Sequence, residues 1–247
     1  MWRTCPGSHA WMLAVALLAA VCGPVGDTFA YEPEAIADGG TIAGVVKLSG
    51  RVPKLTPLEV SKDLEVCGAH PLYDQSLVVA GDGGLRFAVV TITDIQKGAP
   101  LRPEGAVGFD QIGCEYRPHV AAFPAGSTVE ILNSDGILHN IHTESSVNPV
   151  IDMAQPGFKK KITVTIAKPE VIKVTCDAHN WMVGWWYVTK NPYYAVTDAA
   201  GHFTIANVPP GTYTIQVWQE KLGTLNQTVT VMPSATTTAD FNFKLAG

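Results

Sequence analysis

Apolar and polar residues alternate along most of the chain, in short runs that end at glycine, proline or asparagine. The runs at 39–50, 76–92 and 195–218 show this most clearly, and the second reverses at a Gly-Asp-Gly-Gly sequence typical of a hairpin. In the third run, Phe203 and Ile205 fall on one face, because successive side chains of a strand point to opposite faces. We find no convincing amphipathic helix period. The pattern therefore predicts an all-β protein of one or two domains.

A predicted strand, loop and strand near residue 176 carries three potential metal donors. The strand-like run 171–175 leads into Cys176-Asp-Ala-His179-Asn-Trp-Met182, and a second apolar run follows. A further histidine, His139, follows an earlier alternating run and an Asn-Ser-Asp-Gly turn. One thiolate, two imidazoles and a weak thioether are the soft and borderline donors that select copper. The spacing therefore predicts one copper ion, held largely by a short loop between two strands.

Residues 106–189 resemble the cupredoxins, and among them the amicyanin group, which has the same Cys-x2-His-x2-Met spacing. The resemblance implies a Greek-key β-sandwich with one type 1 (blue) copper ion. The implied copper ligands are His139, Cys176, His179 and Met182. It also implies that Asn140 lies just outside the ligands, where it ties the upstream loop to the cysteine loop and supports the sulfur. His142 receives no coordinating role.

The C-terminal run at 192–245 resembles the carboxypeptidase regulatory-like (transthyretin-like) β-sandwich, with turns at Ala-Ala-Gly and Pro-Pro-Gly. That module usually opens with a Gly-Thr-Ile-x-Gly-x-Val strand, which here lies at 40–46. We therefore expect the N-terminal β segment at 40–95 to pack with 192–245, with the copper domain at 106–189 inserted between them. A simple linear order of domains is the alternative.

The first 30 residues have the pattern of a signal peptide. Arg3 precedes an apolar run at 11–21, and a Gly-Pro segment leads to a predicted cleavage after Ala30. The apolar run is too short to span a bilayer, and no later run is long enough, so we expect a periplasmic or secreted protein. A lipid anchor at Cys22 is a weaker alternative. The net charge of −5, from 17 basic and 22 acidic residues, argues against nucleic acid as a partner.

Three cysteines remain once the predicted signal peptide is removed, namely Cys67, Cys114 and Cys176. An odd number in an exported protein usually means one disulfide and one special thiol. With Cys176 on copper, Cys67 and Cys114 are the expected disulfide. A second metal site is the alternative, because His70 and His119 follow these two cysteines at short spacing.

These features predict a periplasmic type 1 copper protein that acts as a one-electron carrier for a redox protein partner, and not an enzyme. We expect His179 to be exposed at an apolar end, with Trp181 beside it either as a docking surface or as core. A multicopper oxidase or nitrite reductase would need further histidine clusters, and a binuclear site would need a second cysteine in the loop. The alternatives are a periplasmic copper carrier and a cell-surface binding module with a non-redox role.

Overall fold

The computed structural model describes residues 31–101 and 105–245, and the predicted signal peptide lies outside them. Within these ranges the chain forms nineteen strands and one four-residue helix, so the predicted all-β fold class is confirmed. The described residues include no helix that is long and apolar enough to cross a membrane.

The elements fall into three groups along the chain. The first group is β1 (Glu32–Pro33), β2 (Gly40–Ser49), α1 (Leu64–Cys67), β3 (Val89–Ile92) and β4 (Lys97–Gly98). The second is β5 (Ala106–Ile112), β6 (Glu115–Arg117), β7 (Val120–Pro124), β8 (Ser127–Asn133), β9 (His139–Glu144), β10 (Asp152–Gln155), β11 (Lys161–Ile166), β12 (Glu170–Thr175) and β13 (Val183–Thr189). The third is β14 (Tyr194–Val196), β15 (His202–Val208), β16 (Gly211–Gln219), β17 (Gly223–Val231), β18 (Thr236–Thr238) and β19 (Phe241–Lys244).

The second group forms a sandwich of two sheets, which we call the middle module. One sheet has the strand order β10-β9-β12-β13-β7, and the other has the order β11-β8-β5-β6. The alternation of apolar and polar residues places apolar side chains between the two sheets. Val129 and Ile131 of β8 are fully buried there, and so is Trp186 of β13. In the first sheet β9 and β12 are antiparallel neighbours, with Thr175 opposite His142. This pairing brings the start of β9 close to the end of β12, where the predicted metal donors lie.

Strands from both ends of the described chain share two further sheets, which we call the outer module. β3 lies between β14 and β16 in the order β14-β3-β16-β17, and β2 pairs with β15, β18 and β19. The two sheets bury a common core that includes Ile42, Val90, Ile215 and Val217. The strands that precede the middle module in sequence thus hydrogen bond with strands that follow it. The short strands β1 and β4 form a separate parallel pair.

A small apolar cluster joins the two modules. Phe87, just before β3, packs with Val120 and Tyr187 of the middle module. Beside this cluster, the buried imidazole of His119 is hydrogen bonded to the carboxylate of Glu220, the residue that follows β16. The middle module is therefore attached to the outer module by apolar packing and by a buried polar pair.

Residues 55–75 leave the outer module and pack on the middle module, and we call them the cover segment. They contain α1 and a single isolated bridge between Pro57 and Tyr73, without the alternation of a strand. Leu72 is buried in the core of the middle module. Cys67 forms a disulfide with Cys114, in the turn between β5 and β6. The disulfide and the buried leucine together hold the cover segment against one end of the middle module.

Candidate metal centre

Three donor side chains converge at this end of the middle module. His139 is the first residue of β9, Cys176 follows β12, and His179 lies in the loop that leads to β13. His139 Nδ1 lies 3.0 Å from His179 Nδ1, which lies 3.8 Å from Cys176 Sγ. The three ligand atoms are all within 4.8 Å of one another, and each side chain is at most 2% exposed. The pairing of β9 with β12 brings them together across 40 residues of sequence.

Each imidazole turns its Nδ1 inward because a carboxylate holds its Nε2. His139 Nε2 lies 2.9 Å from Asp135 Oδ2, and His179 Nε2 lies 2.8 Å from Asp63 Oδ2. Asp135 also accepts two backbone N–H groups of the turn between β5 and β6, at 2.6 and 2.8 Å. A carboxylate on the outer nitrogen fixes both the tautomer and the ring orientation of a metal-binding histidine.

The short contact between the two Nδ1 atoms requires a proton or a metal ion between them, because two lone pairs repel. Burial lowers the pKa of His139, but its hydrogen bonds with Asp135 and Cys176 outweigh burial and raise the pKa to about 9. Burial lowers the pKa of His179 more than the hydrogen bond with Asp63 raises it, and the charge on His139 lowers it further. Without metal, a cationic His139 therefore donates to a neutral His179. A soft or borderline cation in place of that proton satisfies both nitrogens and the thiolate, so the donor set fits copper.

The surroundings of Cys176 favour its thiolate form. Burial raises the pKa of Cys176, but hydrogen bonds from His139 and from backbone N–H groups outweigh burial and lower the pKa. One of these N–H groups is that of Asn140, 3.3 Å from the sulfur. Met182 is 2% exposed, and its backbone N–H donates to the carbonyl oxygen of His179 at 3.0 Å, which closes the ligand loop. The thiolate is the form of cysteine that binds metals.

Asn140 reaches the sulfur through its backbone, while its side chain points elsewhere. The side-chain Nδ2 donates to Asp152 Oδ1 on β10 at 2.9 Å, and not to the cysteine loop. The hydroxyl of the buried Tyr116 lies 2.7 Å from Asn140 O and 2.9 Å from Thr175 O. Tyr116 thus adds a second link between the start of β9 and the end of β12, in addition to the bond from the Asn140 N–H to the sulfur.

His179 is fully buried, so the prediction that it is exposed at an apolar end is wrong. The cover segment closes over its outer edge: Asp63 holds Nε2, and Cys67 Sγ lies 3.9 Å from the same nitrogen. Trp181 does lie beside the imidazole, with ring centroids 5.0 Å apart, and its Nε1 donates to Cys114 O at 3.2 Å. The imidazole edge that we expected to face solvent faces the cover segment instead.

Asp63 was not identified from the sequence, because it lies 116 residues before His179 and belongs to no motif. It is the N-cap residue of α1, with φ of 48°, and its carboxylate makes no capping hydrogen bond. An N-cap carboxylate normally accepts an N–H group of the first helical turn, so this one is diverted to the imidazole. Asp135 was also missed, although its position four residues before His139 is a usable signal.

The alternative second metal site required two cysteines and two histidines: Cys67, Cys114, His70 and His119. The structure contains a disulfide between these two cysteines, so neither thiolate is available. The nitrogens of His119 face Val183 O, at 3.1 Å, and Glu220. His142 lies outside the buried donor cluster and pairs with Asp177, 3.1 Å away.

Residues 187–245 match the family model of the carboxypeptidase regulatory-like domain. The chain is similar in structure to a purple cupredoxin from Nitrosopumilus maritimus, with 22% identity over 34% of this chain and 99% of that chain, at a TM-score of 0.29. It is also similar to amicyanin from Paracoccus versutus, with 19% identity over 40% of this chain and 97% of that chain, at a TM-score of 0.32. Both resemblances predicted from the sequence are thus found.

A Cu-containing nitrite reductase from Thermus scotoductus SA-01 is similar over 49% of this chain and 27% of that chain, with 22% identity and a TM-score of 0.32. No curated protein matches the chain. At these identities and TM-scores, the role of each residue rests on the geometry of the site alone.

Proposed function

We propose that the protein is an exported type 1 copper protein that carries one electron at a time between redox proteins, and that it is a carrier and not an enzyme. The observation that carries the proposal is a buried cluster of three donor atoms. The Nδ1 atoms of His139 and His179 lie 3.0 Å apart, and the sulfur of Cys176 lies 3.8 Å from Nδ1 of His179. In this proposal the equatorial ligands are His139, Cys176 and His179, and Met182 is the weak axial ligand. Bound copper supplies the one-electron couple between Cu(II) and Cu(I).

The protein itself keeps the ligands in place while the charge on the metal changes. Asp135 and Asp63 hold the two imidazole rings, and the Asn140 N–H supports the sulfur. The three donors are buried, so water has little access to add as a further ligand in either oxidation state. Because the ligand positions are set by strand ends and hydrogen bonds, little reorganisation accompanies gain or loss of an electron.

The cover segment determines where a redox partner can approach. A partner cannot touch His179 directly, because its side chain is fully buried. Asp63 contacts the imidazole and has a side chain that is 48% exposed, and the partly buried Trp181 packs on the same ring. We propose that a redox protein docks over Asp63 and Trp181, where one residue separates it from a copper ligand.

The same proposal divides the chain by function. Residues 1–30 are a signal peptide cleaved near Ala30, which directs the protein to the periplasm or out of the cell. Residues 106–189 are the copper domain, and 40–95 with 192–245 build the carboxypeptidase regulatory-like sandwich. The pairing of β2 with β15 and of β3 with β16 supports the joining of those two segments.

Copper loading followed by visible spectroscopy tests the proposal. The Cu(II) protein should show an intense charge-transfer band from the Cys176 thiolate, and the band should bleach on reduction. Cys176→Ala should abolish the band. Met182→Leu should retain it and raise the reduction potential, because loss of a weak donor favours Cu(I). His70→Ala, at an exposed histidine outside the site, is the control, and a colourless one-to-one copper complex would contradict the assignment of Cys176.

A periplasmic copper carrier would use the same ligands but would have to release the metal. The burial of His179 under the cover segment favours slow release, and hence electron transfer, because this segment covers the outer edge of the imidazole. The two functions differ in one measurement. A reversible reduction potential with slow copper loss to a chelator supports the electron carrier, whereas rapid transfer of copper to the chelator supports the copper carrier.

A further inference from the structure

A second set of metal donors lies at the surface, next to the ligand loop. His142 on β9 is the register partner of Asp152 on β10, and on its other side lies β12, which leads into Asp177. Their ligand atoms, one from each side chain, lie within 4.8 Å of one another, and His142 Nδ1 is 3.1 Å from Asp177 Oδ1. We call these three residues the surface cluster. The side chains of His142 and Asp177 are 38% and 55% exposed, so an ion can reach them from solvent.

The surface cluster carries more negative charge than its neighbours neutralise. The nearby Glu144 is already paired with Lys173 at 2.8 Å. Among the described residues, no lysine or arginine pairs with Asp152 or Asp177. The hydrogen bond that the His142 ring donates to Asp177 raises the pKa of His142, and the charges of Asp177, Asp152 and Glu144 raise it as well. A cationic imidazole compensates one of the two carboxylates, whereas a divalent cation compensates both.

A buried amide at the edge of the surface cluster lacks one of its partners. Asn140 is 9% exposed, and its Nδ2 donates to Asp152 Oδ1 at 2.9 Å. Its Oδ1 accepts no hydrogen bond from any residue that the structure describes, which is costly for a buried amide. A half-turn of the amide exchanges the oxygen and the nitrogen with almost no change in shape. That rotation places Oδ1 beside Asp152, where the two oxygens repel each other unless a cation binds both, and it moves Nδ2 into the position that now has no partner.

We propose that His142, Asp152 and Asp177 bind a divalent transition-metal ion, separate from the copper held by Cys176. One imidazole nitrogen with two carboxylates, and with the Asn140 amide oxygen available, is a donor set for Zn²⁺ or Cu²⁺. Cu²⁺ binds such donors more tightly than Zn²⁺ does. The surface cluster has no thiolate, so Cu²⁺ bound there lacks the intense band of the Cys176 site. This second ion goes beyond the electron-carrier function, which needs one copper.

The surface cluster is connected to the thiolate by two short routes. Asn140 contacts Asp152 through its side chain and Cys176 Sγ through its backbone N–H, at 3.3 Å. Asp177 is the next residue in the chain after Cys176. An ion that draws Asp152 and Asp177 together therefore acts on a hydrogen-bond donor to the sulfur and on the cysteine backbone. Occupancy of the surface cluster should shift the charge-transfer band of copper, an effect that rests on the proposed function.

Titration of the copper-loaded protein with Zn²⁺ tests the site. Zn²⁺ is colourless, so the visible band reports only on copper at Cys176, while equilibrium dialysis counts bound zinc. We expect one Zn²⁺ per chain in addition to copper. His142→Gln and Asp177→Asn should each weaken zinc binding by roughly tenfold or more, because even an outer partner of a metal ligand contributes that much. Glu144→Gln changes an exposed carboxylate on the same strand and is the matched control; it should leave zinc binding almost unchanged, because Lys173 already pairs with this carboxylate.

The outcomes separate the surface site from the copper site. Absence of additional zinc, or zinc binding that survives both His142→Gln and Asp177→Asn, overturns the surface site. Zinc that binds as expected without a shift of the visible band overturns the coupling through Asn140. A protein that binds zinc in a His142-dependent way but never forms a blue Cu(II) complex supports the surface site and contradicts the proposed function. Thermal unfolding of each variant verifies that it is folded.

Discussion

The two imidazoles of the candidate metal centre are held in the same way, by a carboxylate, but the two carboxylates come from different parts of the chain. His139 is anchored by Asp135, four residues earlier on the same loop, and His179 by Asp63, 116 residues earlier in the cover segment. The Asp135 side chain is 6% exposed, whereas that of Asp63 is 48% exposed. Asp135 also accepts two backbone N–H groups, while the carboxylate of Asp63 hydrogen bonds only the imidazole among the described residues.

Because the two anchors differ in this way, one can act on the positions of the ligands and the other on access to them. The local anchor lies in the loop between β8 and β9 and is held by the turn between β5 and β6, so it belongs wholly to the middle module. The distant anchor depends on the cover segment and on the disulfide between Cys67 and Cys114, so it can change without a change in the ligands. We infer that Asp135 mainly sets how tightly the metal is held, and that Asp63 and its segment mainly set what can reach it.

Removal of the disulfide loosens the cover segment, which carries the distant anchor Asp63, and should have the largest effect. The double substitution Cys67→Ala with Cys114→Ala frees a loop with a sequence separation of 47. Unfolded-state entropy regained by such a loop lowers the free energy of unfolding by about 4 kcal/mol. The blue band should persist, because neither cysteine belongs to the donor cluster. Chemical denaturation measures the free energy of unfolding, and the visible spectrum reports on the copper site. Loss of the band at unchanged stability would show that the disulfide maintains the copper site and not the stability of the fold.

Asp135→Asn tests the local anchor. An asparagine can present an N–H group to His139 Nε2, where the ring needs an acceptor, so the inward orientation of Nδ1 is no longer favoured. Loss of such a partner lowers metal affinity by roughly 10- to 100-fold. Competition with a copper chelator measures the affinity. Asp110→Asn is the control, because that carboxylate accepts a hydrogen bond from Ser134 on the same loop and does not contact an imidazole.

The proton between the imidazoles gives the copper-free protein a pH dependence that copper should remove. The pKa of His139 is raised from its ordinary value of 6.5 to about 9. Because the folded value exceeds the unfolded one, protonation stabilises the fold fully below about pH 6.5, and this contribution disappears as the pH rises through about 9. We expect a loss of about 3 kcal/mol without copper and much less with it. Thermal unfolding of both forms measures this, and equal pH dependences would contradict it.

Asp63→Asn should have the smallest effect on affinity. Its carboxylate is half exposed, so water can replace it at His179 Nε2, and copper affinity should fall by less than about tenfold. Glu65→Gln changes a neighbouring exposed carboxylate of α1 and serves as the matched control. If Asp63→Asn weakened copper binding as much as Asp135→Asn, the two anchors would be equivalent. The separate roles of Asp135 in holding the metal and of Asp63 in controlling access would then be wrong.

The features that the sequence determined by itself are those set by local spacing. Alternation predicts strands because side chains in a strand repeat every two residues, and the runs before and after Cys176 are β12 and β13. Cys176, His179 and Met182 lie in one short loop, so they stay close together whatever the middle module packs against. The count of cysteines likewise indicated the disulfide that the structure contains. The assignment of copper to these donors stays a prediction, now with a geometry to test.

Only the tertiary structure decided that His179 is buried and that Asp63 anchors it. The cover segment has neither the period of a strand nor that of a long helix, and Leu72 and the disulfide hold it through contacts distant in sequence. The sharing of two sheets by strands on both sides of the middle module depends in the same way on β2 and β3 meeting β15 and β16. Periodicity specifies which face of an element is apolar. It does not specify which distant surface covers that face, because close packing of the whole chain makes that choice.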